Sequence, residues 1–62
     1  MCLSNVYTEN NGERQLLYRN IADIRMEDGD IILTDIMGIP TRLSGTVRRV
    51  DLLENYVIVD CD

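Results

Sequence analysis

The 62-residue sequence contains no histidine, no lysine, no tryptophan and no phenylalanine. Without histidine there is no ordinary general base for a serine or cysteine nucleophile, and without lysine no amine can form a Schiff base. The four glycines, at positions 12, 29, 38 and 45, are too dispersed to form a phosphate-binding loop. These absences exclude the common kinds of active site, so we expect a protein that is not an enzyme.

Basic side chains are also scarce. The sequence contains six arginines and eleven acidic residues, so the formal net charge is −5. Arg48 and Arg49 form the only adjacent basic pair in the sequence. Proteins that bind nucleic acids need a basic surface that neutralises phosphates, so we expect no nucleic-acid partner. A cation is the more natural small ligand for this chain.

Long apolar runs are missing as well. No run approaches the roughly 20 residues of a membrane span, so we expect no membrane partner. The first ten residues, MCLSNVYTEN, lack the basic and apolar regions of a signal peptide. The two cysteines, Cys2 and Cys61, do not have the number or spacing of a secreted disulfide framework. These features predict a cytoplasmic protein.

The length of the chain suits one small domain, residues 1–62, with a modest core. Alternation of apolar and polar residues with period two predicts strands, and Asn11-Gly12 and Asp28-Gly29 predict hairpin turns. The alternation slips by one residue at Arg48-Arg49, which is typical of a β-bulge, and Gly45 favours a bent strand. We therefore predict an all-β fold, a small SH3-like or Sm-like barrel or roll of about six short antiparallel strands.

The same alternation predicts which side chains face the core. In the last predicted strand, YVIVDCD, Cys61 continues the core face of Val57 and Val59, while Tyr56 and Ile58 face outward. The segment DIILTDI is apolar on both faces, which predicts cover on both sides. The outward apolar pair indicates a dimer surface, although scattered surface apolar residues on a monomer would explain it equally well.

Cys2 differs from Cys61 because the end of a chain offers little packing. A lone cysteine is usually a small buried hydrophobe, and this is the interpretation we favour for Cys61. A thiolate beside a backbone amine or deprotonated amide forms a compact chelate instead. Two such units from two chains would give sulfur and nitrogen ligands suited to square-planar Ni(II) or Cu(II).

Three segments carry a resemblance to a known family: the opening MCLSNVY, the acidic hairpin DGDIILTDIMG, and LSGTVRRVDLLENYVIV. Together they resemble the CooT family of small nickel-binding proteins over nearly the whole chain. The resemblance implies a homodimer that binds one Ni(II) at the subunit interface through Cys2 of each chain. The backbone nitrogens of Cys2 and Leu3 are the candidate co-ligands. The implied function is that of a nickel metallochaperone or nickel store, serving maturation of the nickel-containing carbon monoxide dehydrogenase.

Two other interpretations remain open. Hydrogenase maturation chaperones of the HypC type also begin Met-Cys-Leu, but they usually carry a proline soon afterwards, where this chain has Asn5-Val6-Tyr7. The third interpretation is an SH3-like or Sm-like interaction module that binds no metal.

Overall fold

Five strands follow one another in sequence order around a closed barrel. The computed structural model describes residues 3–61, and no helix within that range is long and apolar enough to cross a membrane. The prediction of a small all-β barrel is confirmed, with five strands in the described residues rather than about six. They are β1 (Ser4–Asn10), β2 (Glu13–Glu27), β3 (Asp30–Asp35), β4 (Pro40–Asp51) and β5 (Tyr56–Cys61).

The difference in strand number comes from β2. Its residues form one continuous strand, whereas the alternation of apolar and polar residues predicts two shorter strands there. Ser4 pairs with Ile21 and Val6 pairs with Tyr18, so two steps along β1 correspond to three along β2. The extra residue is a bulge, and Asn20 within it has a positive φ of 57°. The bend lets the first half of β2 pair with β1 and its second half pair with β3.

Both predicted hairpin turns are confirmed. Asn11 and Gly12 have φ values of 53° and 80°, and Asp28 and Gly29 have φ values of 51° and 80°. Two consecutive positive φ angles are what a type I′ turn requires, and asparagine, aspartate and glycine tolerate them best. The local chemistry of each turn thus fixes the register of the hairpin around it.

The hydrophobic core lies between the inward faces of the strands. Ile31 and Leu33 of β3 are fully buried, whereas Ile32 on the opposite face is only half-buried. Cover on both sides of this strand, predicted from its apolar residues, is therefore incomplete. The buried core cluster consists of Val6, Ile21, Ile31, Leu33, Val57 and Val59.

The predicted bulge of β4 is also present. The pairing of β4 with β5 shifts between Val47 and Arg49, which places the bulge at Arg48. Gly45 approaches β5 so closely that a Cβ there would collide with the backbone carbonyl oxygen of Asp60. Only glycine fits this contact, so the close pairing of β4 with β5 at this position depends on Gly45.

The prediction that Ile58 faces outward as part of a dimer surface is wrong, because only 2% of this residue is exposed. Ile58 lies in register between Tyr7 of β1 and Arg49 of β4, whose large side chains flank it. The ring of Tyr7 meets the ring of Tyr56 edge to face at 6.0 Å, and the guanidinium of Arg14 lies over both rings. A small aromatic cluster of the same chain thus occupies the face that was expected to meet a partner.

Candidate functional site at the N-terminal segment

The N-terminal segment, residues 3–5, leads into β1, which lies between β2 and β5 in the barrel. Cys2, the predicted metal ligand, lies outside the described residues, whereas Leu3, the predicted co-ligand, is described immediately before β1. The first residues of β1 pair on one side with β2, through Ser4 and Ile21, and on the other with β5, through Asn5 and Tyr56. The backbone that follows Cys2 is therefore held from both sides.

Asn55 fastens this segment to the rest of the barrel. Its side-chain Nδ2 donates a hydrogen bond to the carbonyl oxygen of Leu3, and its Oδ1 accepts one from Ser4 Oγ at 2.9 Å. All three residues are half-buried, so these bonds are partly shielded from water. Asn55 ends the β4–β5 turn with a φ of 63°, a conformation that asparagine tolerates well. Sequence reasoning missed this residue, since the stretch LLEN indicates a turn but not its contact across the sheet.

The turn that carries Asn55 is itself held by Asp51. The carboxylate Oδ1 of Asp51 accepts hydrogen bonds from the backbone nitrogens of Glu54 at 2.8 Å and Leu53 at 3.0 Å. The pKa of Asp51 lies below its ordinary value of 3.8, and the hydrogen bond from the Glu54 amide is the largest cause. The bond from Leu53 and the nearby positive charge of Arg49 also lower the pKa, and together these contributions outweigh the opposing effect of desolvation. A fixed turn presents Asn55 in a fixed position, so Asp51 acts on the N-terminal segment through Asn55.

A groove of about 300 Å³ begins beside this segment, with Ser4 among the residues that line it. Most of its other lining side chains are aliphatic and lie on β2 and β4. Asp23 is the only charged residue among the described residues that line it, and its carboxylate pairs with Arg25 Nε at 3.3 Å. The groove therefore offers apolar contact rather than ligands for an ion. Its aliphatic lining consists of Ile21, Ala22, Ile24, Met26, Val47, Val50 and Val57.

Cys61 does not lie where the alternation predicts. Its thiol is free and exposed, so the expectation of a sulfur pointing into the core is wrong. Cys61 pairs with Gly45, which has no side chain to cover it, at the end of β5 where the core has ended. Alternation predicts the face of the strand on which a side chain lies, but it does not predict how far the core extends along that strand.

The pairing of β1 with β5 also separates the Leu3–Ser4 segment from Cys61. These strands are neighbours and run parallel, with Asn5 beside Tyr56. Cys61 lies five residues further along β5, or about 17 Å away at 3.3 Å per residue. The Leu3–Ser4 segment and Cys61 therefore lie towards opposite ends of the barrel. Within residues 3–61, no group of three histidine, cysteine, aspartate or glutamate side chains could hold a metal ion.

Comparison with known proteins identifies the family. A family model described as CO dehydrogenase accessory protein CooT matches residues 1–60. The chain belongs to the CooT family. A crystal structure of a protein assigned as CooT from Carboxydothermus hydrogenoformans has the same fold, with a TM-score of 0.85 and 13% sequence identity over 98% of each chain. No curated protein matches the sequence.

The CooT assignment confirms the resemblance inferred from the sequence segments. The matched range, residues 1–60, includes the Met-Cys start. At 13% identity, the solved CooT structure supports the barrel fold of this chain.

Proposed function

We propose that this CooT family member is a non-enzymatic nickel carrier or store that binds Ni(II) as a homodimer, through Cys2 of each chain. The proposal rests on the family assignment, because the matching family model is described as a CO dehydrogenase accessory protein. The protein would deliver nickel to that enzyme or to its maturation factors.

The chemistry of the available donors supports nickel in this role. The chain has no histidine, so a soft-metal site must use thiolates and backbone nitrogens. Cys2 supplies the thiolate, and the backbone nitrogens of Cys2 and Leu3 complete a compact chelate. The anchoring of Leu3 by Asn55 supports the proposal, because it limits the movement of the residue next to the thiolate.

The test is an anaerobic titration with Ni(II), followed by absorbance for thiolate-to-metal charge transfer and by mass spectrometry under native conditions. We expect one nickel for every two chains. Binding should weaken as the pH falls, because the thiol and the backbone nitrogen must lose protons to coordinate. One nickel per chain with no dependence on pH would contradict a shared site.

Cys61 provides the matched control. Cys2→Ser should abolish nickel binding and leave the barrel folded, whereas Cys61→Ser should bind nickel as the unaltered protein does, because Cys61 lies towards the other end of the barrel from Leu3. Loss of binding in both variants, or purified protein that holds zinc on four thiolates, would overturn the nickel proposal.

A further inference from the structure

The groove beside Ser4 lies along an edge of β2 that has no partner strand among the described residues. The pairing of β2 with β1 ends at Ile21, opposite Ser4, whereas β2 itself continues to Glu27. From residue 23 onward β2 pairs with β3 through its other edge. Ile24 and Val47 line the groove and also pack against the core cluster. This stretch of β2 is therefore a free sheet edge beside an opening to the core.

The ladder between β2 and β3 determines which backbone groups of this edge are free. The turn between Glu27 and Asp30 has two residues, so these two residues form a hydrogen-bonded pair. Bonded and non-bonded pairs alternate from there along an antiparallel ladder. Ile24 and Met26 therefore direct their backbone N–H and C=O groups away from β3, towards the groove. Outside the strand ladders of the described residues, no backbone hydrogen bond involves either of them.

The side chains of the same two residues line the groove, and Met26 is 65% exposed. The alternate residues Arg25 and Glu27 line a shallow depression on the opposite face of the sheet. A strand paired with this edge would bond the free backbone groups and place every second side chain over the groove. Main-chain bonds combined with apolar contacts at alternate positions are the means by which sheet edges bind extended peptides.

The charges beside this edge indicate the composition of such a peptide. Asp23 pairs with Arg25 at 3.3 Å. Glu27 shares Arg42 with Asp30, so acidic groups outnumber cations here, in a chain whose net charge is −5. Side chains of an added strand that do not enter the groove would lie next to these groups. Arginine or lysine is favourable there, whereas a second acidic surface is repelled.

From these observations we infer that the edge of β2 from Ile24 to Met26 binds an extended segment of another protein. That segment has aliphatic residues at every second position, which enter the groove, and arginine or lysine between them. Its backbone pairs with the free N–H and C=O groups of Ile24 and Met26. The inference goes beyond the nickel proposal and does not depend on it, because the edge and the groove are formed without a metal.

The test uses the metal-free protein and three fluorescent nine-residue peptides, in which arginine alternates with valine, leucine or methionine. Fluorescence anisotropy measures the dissociation constants. A control peptide with glutamate in place of arginine should bind at least about tenfold more weakly than the tightest arginine peptide. Two further copies of that peptide are N-methylated, one at its aliphatic residues and one at its arginines. Only one of these sets faces β2, so one copy should lose binding and the other should keep it.

Two variants of Met26 test the backbone contact from the side of the protein. Met26→Pro removes the N–H that faces the groove and keeps the bonds to β3, an arrangement that proline tolerates at a sheet edge. Met26→Ala is the matched control, because it also shortens the side chain but retains the N–H. We expect Met26→Pro to bind the peptide at least about tenfold more weakly than Met26→Ala. Circular dichroism checks that both variants fold.

Amide hydrogen exchange provides a measurement that needs no substitution. In the free protein, the amides of Ile24 and Met26 should exchange faster than those of Arg25 and Glu27, which bond to β3. A saturating concentration of the tightest peptide should slow exchange at Ile24 and Met26. Exchange at Arg25 and Glu27 should change little.

The inference fails if none of the three peptides binds more tightly than about 1 mM, or if the glutamate peptide binds as tightly as its arginine counterpart. It also fails if Met26→Pro and Met26→Ala bind alike. Slow exchange at Ile24 and Met26 without peptide would overturn it as well, because the edge would then be covered already. Dependence of that protection on protein concentration would assign the cover to a second copy, and independence would assign it to the same chain. All these measurements are metal-free, so their failure leaves the nickel proposal standing, and a failed nickel titration leaves this inference standing.

Discussion

Two regions of this barrel have the same alternating sequence pattern but different burial. In β3 the inward side chains Ile31 and Leu33 are fully buried, with other strands facing them. In the second half of β2 the pattern continues from Ile24 to Met26, yet Met26 is 65% exposed. The difference shows that alternation places a side chain on the inner face, while burial requires another element opposite that face.

The two regions also depend on different forces. The closed region, around Ile31 and Leu33 of β3, is stabilised by burial of aliphatic side chains, which removes apolar surface from water. The N-terminal segment beside the open groove is held by hydrogen bonds from Asn55 to Leu3 and Ser4, and by the turn that Asp51 fixes. Substitutions in the closed region should therefore act through cavities, and those near the N-terminal segment through lost polar contacts.

The largest effect is expected in the closed region. Leu33→Ala should lower the free energy of unfolding by about 2–5 kcal/mol, because it leaves a cavity among fully buried neighbours. Met26→Ala, beside the groove, should lower the free energy of unfolding of the single chain by less than about 1 kcal/mol, since most of the Met26 side chain is already in water. Urea denaturation at a concentration where the protein is monomeric measures both values. Equal losses would show that the groove is as well packed as the core.

An intermediate effect is expected from Asn55→Gly, which keeps the positive φ of this residue but removes both side-chain hydrogen bonds. The loss should be about 1–3 kcal/mol for the two bonds. Amide hydrogen exchange should become faster at Ser4 and Asn5 while that of Leu33 changes less, since the bonds act on the N-terminal segment. Nickel affinity should also fall, although Cys2 is unchanged.

Asn11→Gly is the matched control for that substitution. Asn11 also has a positive φ, of 53°, in the first hairpin turn, so its replacement reproduces the backbone effects of glycine away from the N-terminal segment. If the two variants change stability and exchange at Ser4 by the same amounts, Asn55 does not fasten the segment.

The smallest effect is a dependence of stability on pH through Asp51. Its pKa in the folded protein lies below the ordinary 3.8, with the hydrogen bond from the Glu54 amide as the largest cause. The folded state therefore takes up this proton less readily than the unfolded state. The stabilisation is present above pH 3.8 and is lost as the pH falls through the lower folded pKa.

Asp51→Asn isolates that contribution. Asparagine keeps an oxygen that can accept the bonds from Leu53 and Glu54 but has no charge to titrate. Urea midpoints measured at a series of pH values should show a shallower decline on the acid side of pH 3.8 for the variant than for the unaltered protein. Superimposable curves would mean that the Asp51 carboxylate contributes nothing to the turn.

Much of the fold could be predicted because its signals are local. Asn11-Gly12 and Asp28-Gly29 adopt the positive φ angles that their residue types favour, and the slip at Arg48 is a real bulge. Each of these features depends on a few neighbouring residues, whose conformational preferences are written in the sequence. The CooT resemblance likewise followed from segments that span the chain.

The errors concern contacts between residues that are distant along the chain. Ile58 is buried because Tyr7 and Arg49 flank it in register, and Cys61 is exposed because its partner in β4 is Gly45. The role of Asn55 escaped notice for the same reason, since its hydrogen-bond partner Ser4 is 51 residues away. None of these pairings has a sequence signal, because each depends on how the strands are ordered and offset.

By itself, the sequence determined the all-β class, the turns and the bulge, because conformational preference and alternation act over a few residues. It determined the family through segments that span the chain. The tertiary structure alone decided that β1 and β5 close the barrel in parallel, that Asn55 holds the Leu3–Ser4 segment, and that the core opens along a groove. These features follow from strand register, which sums weak interactions over the whole sheet. A one-residue shift in that register would turn each strand's inner face outward.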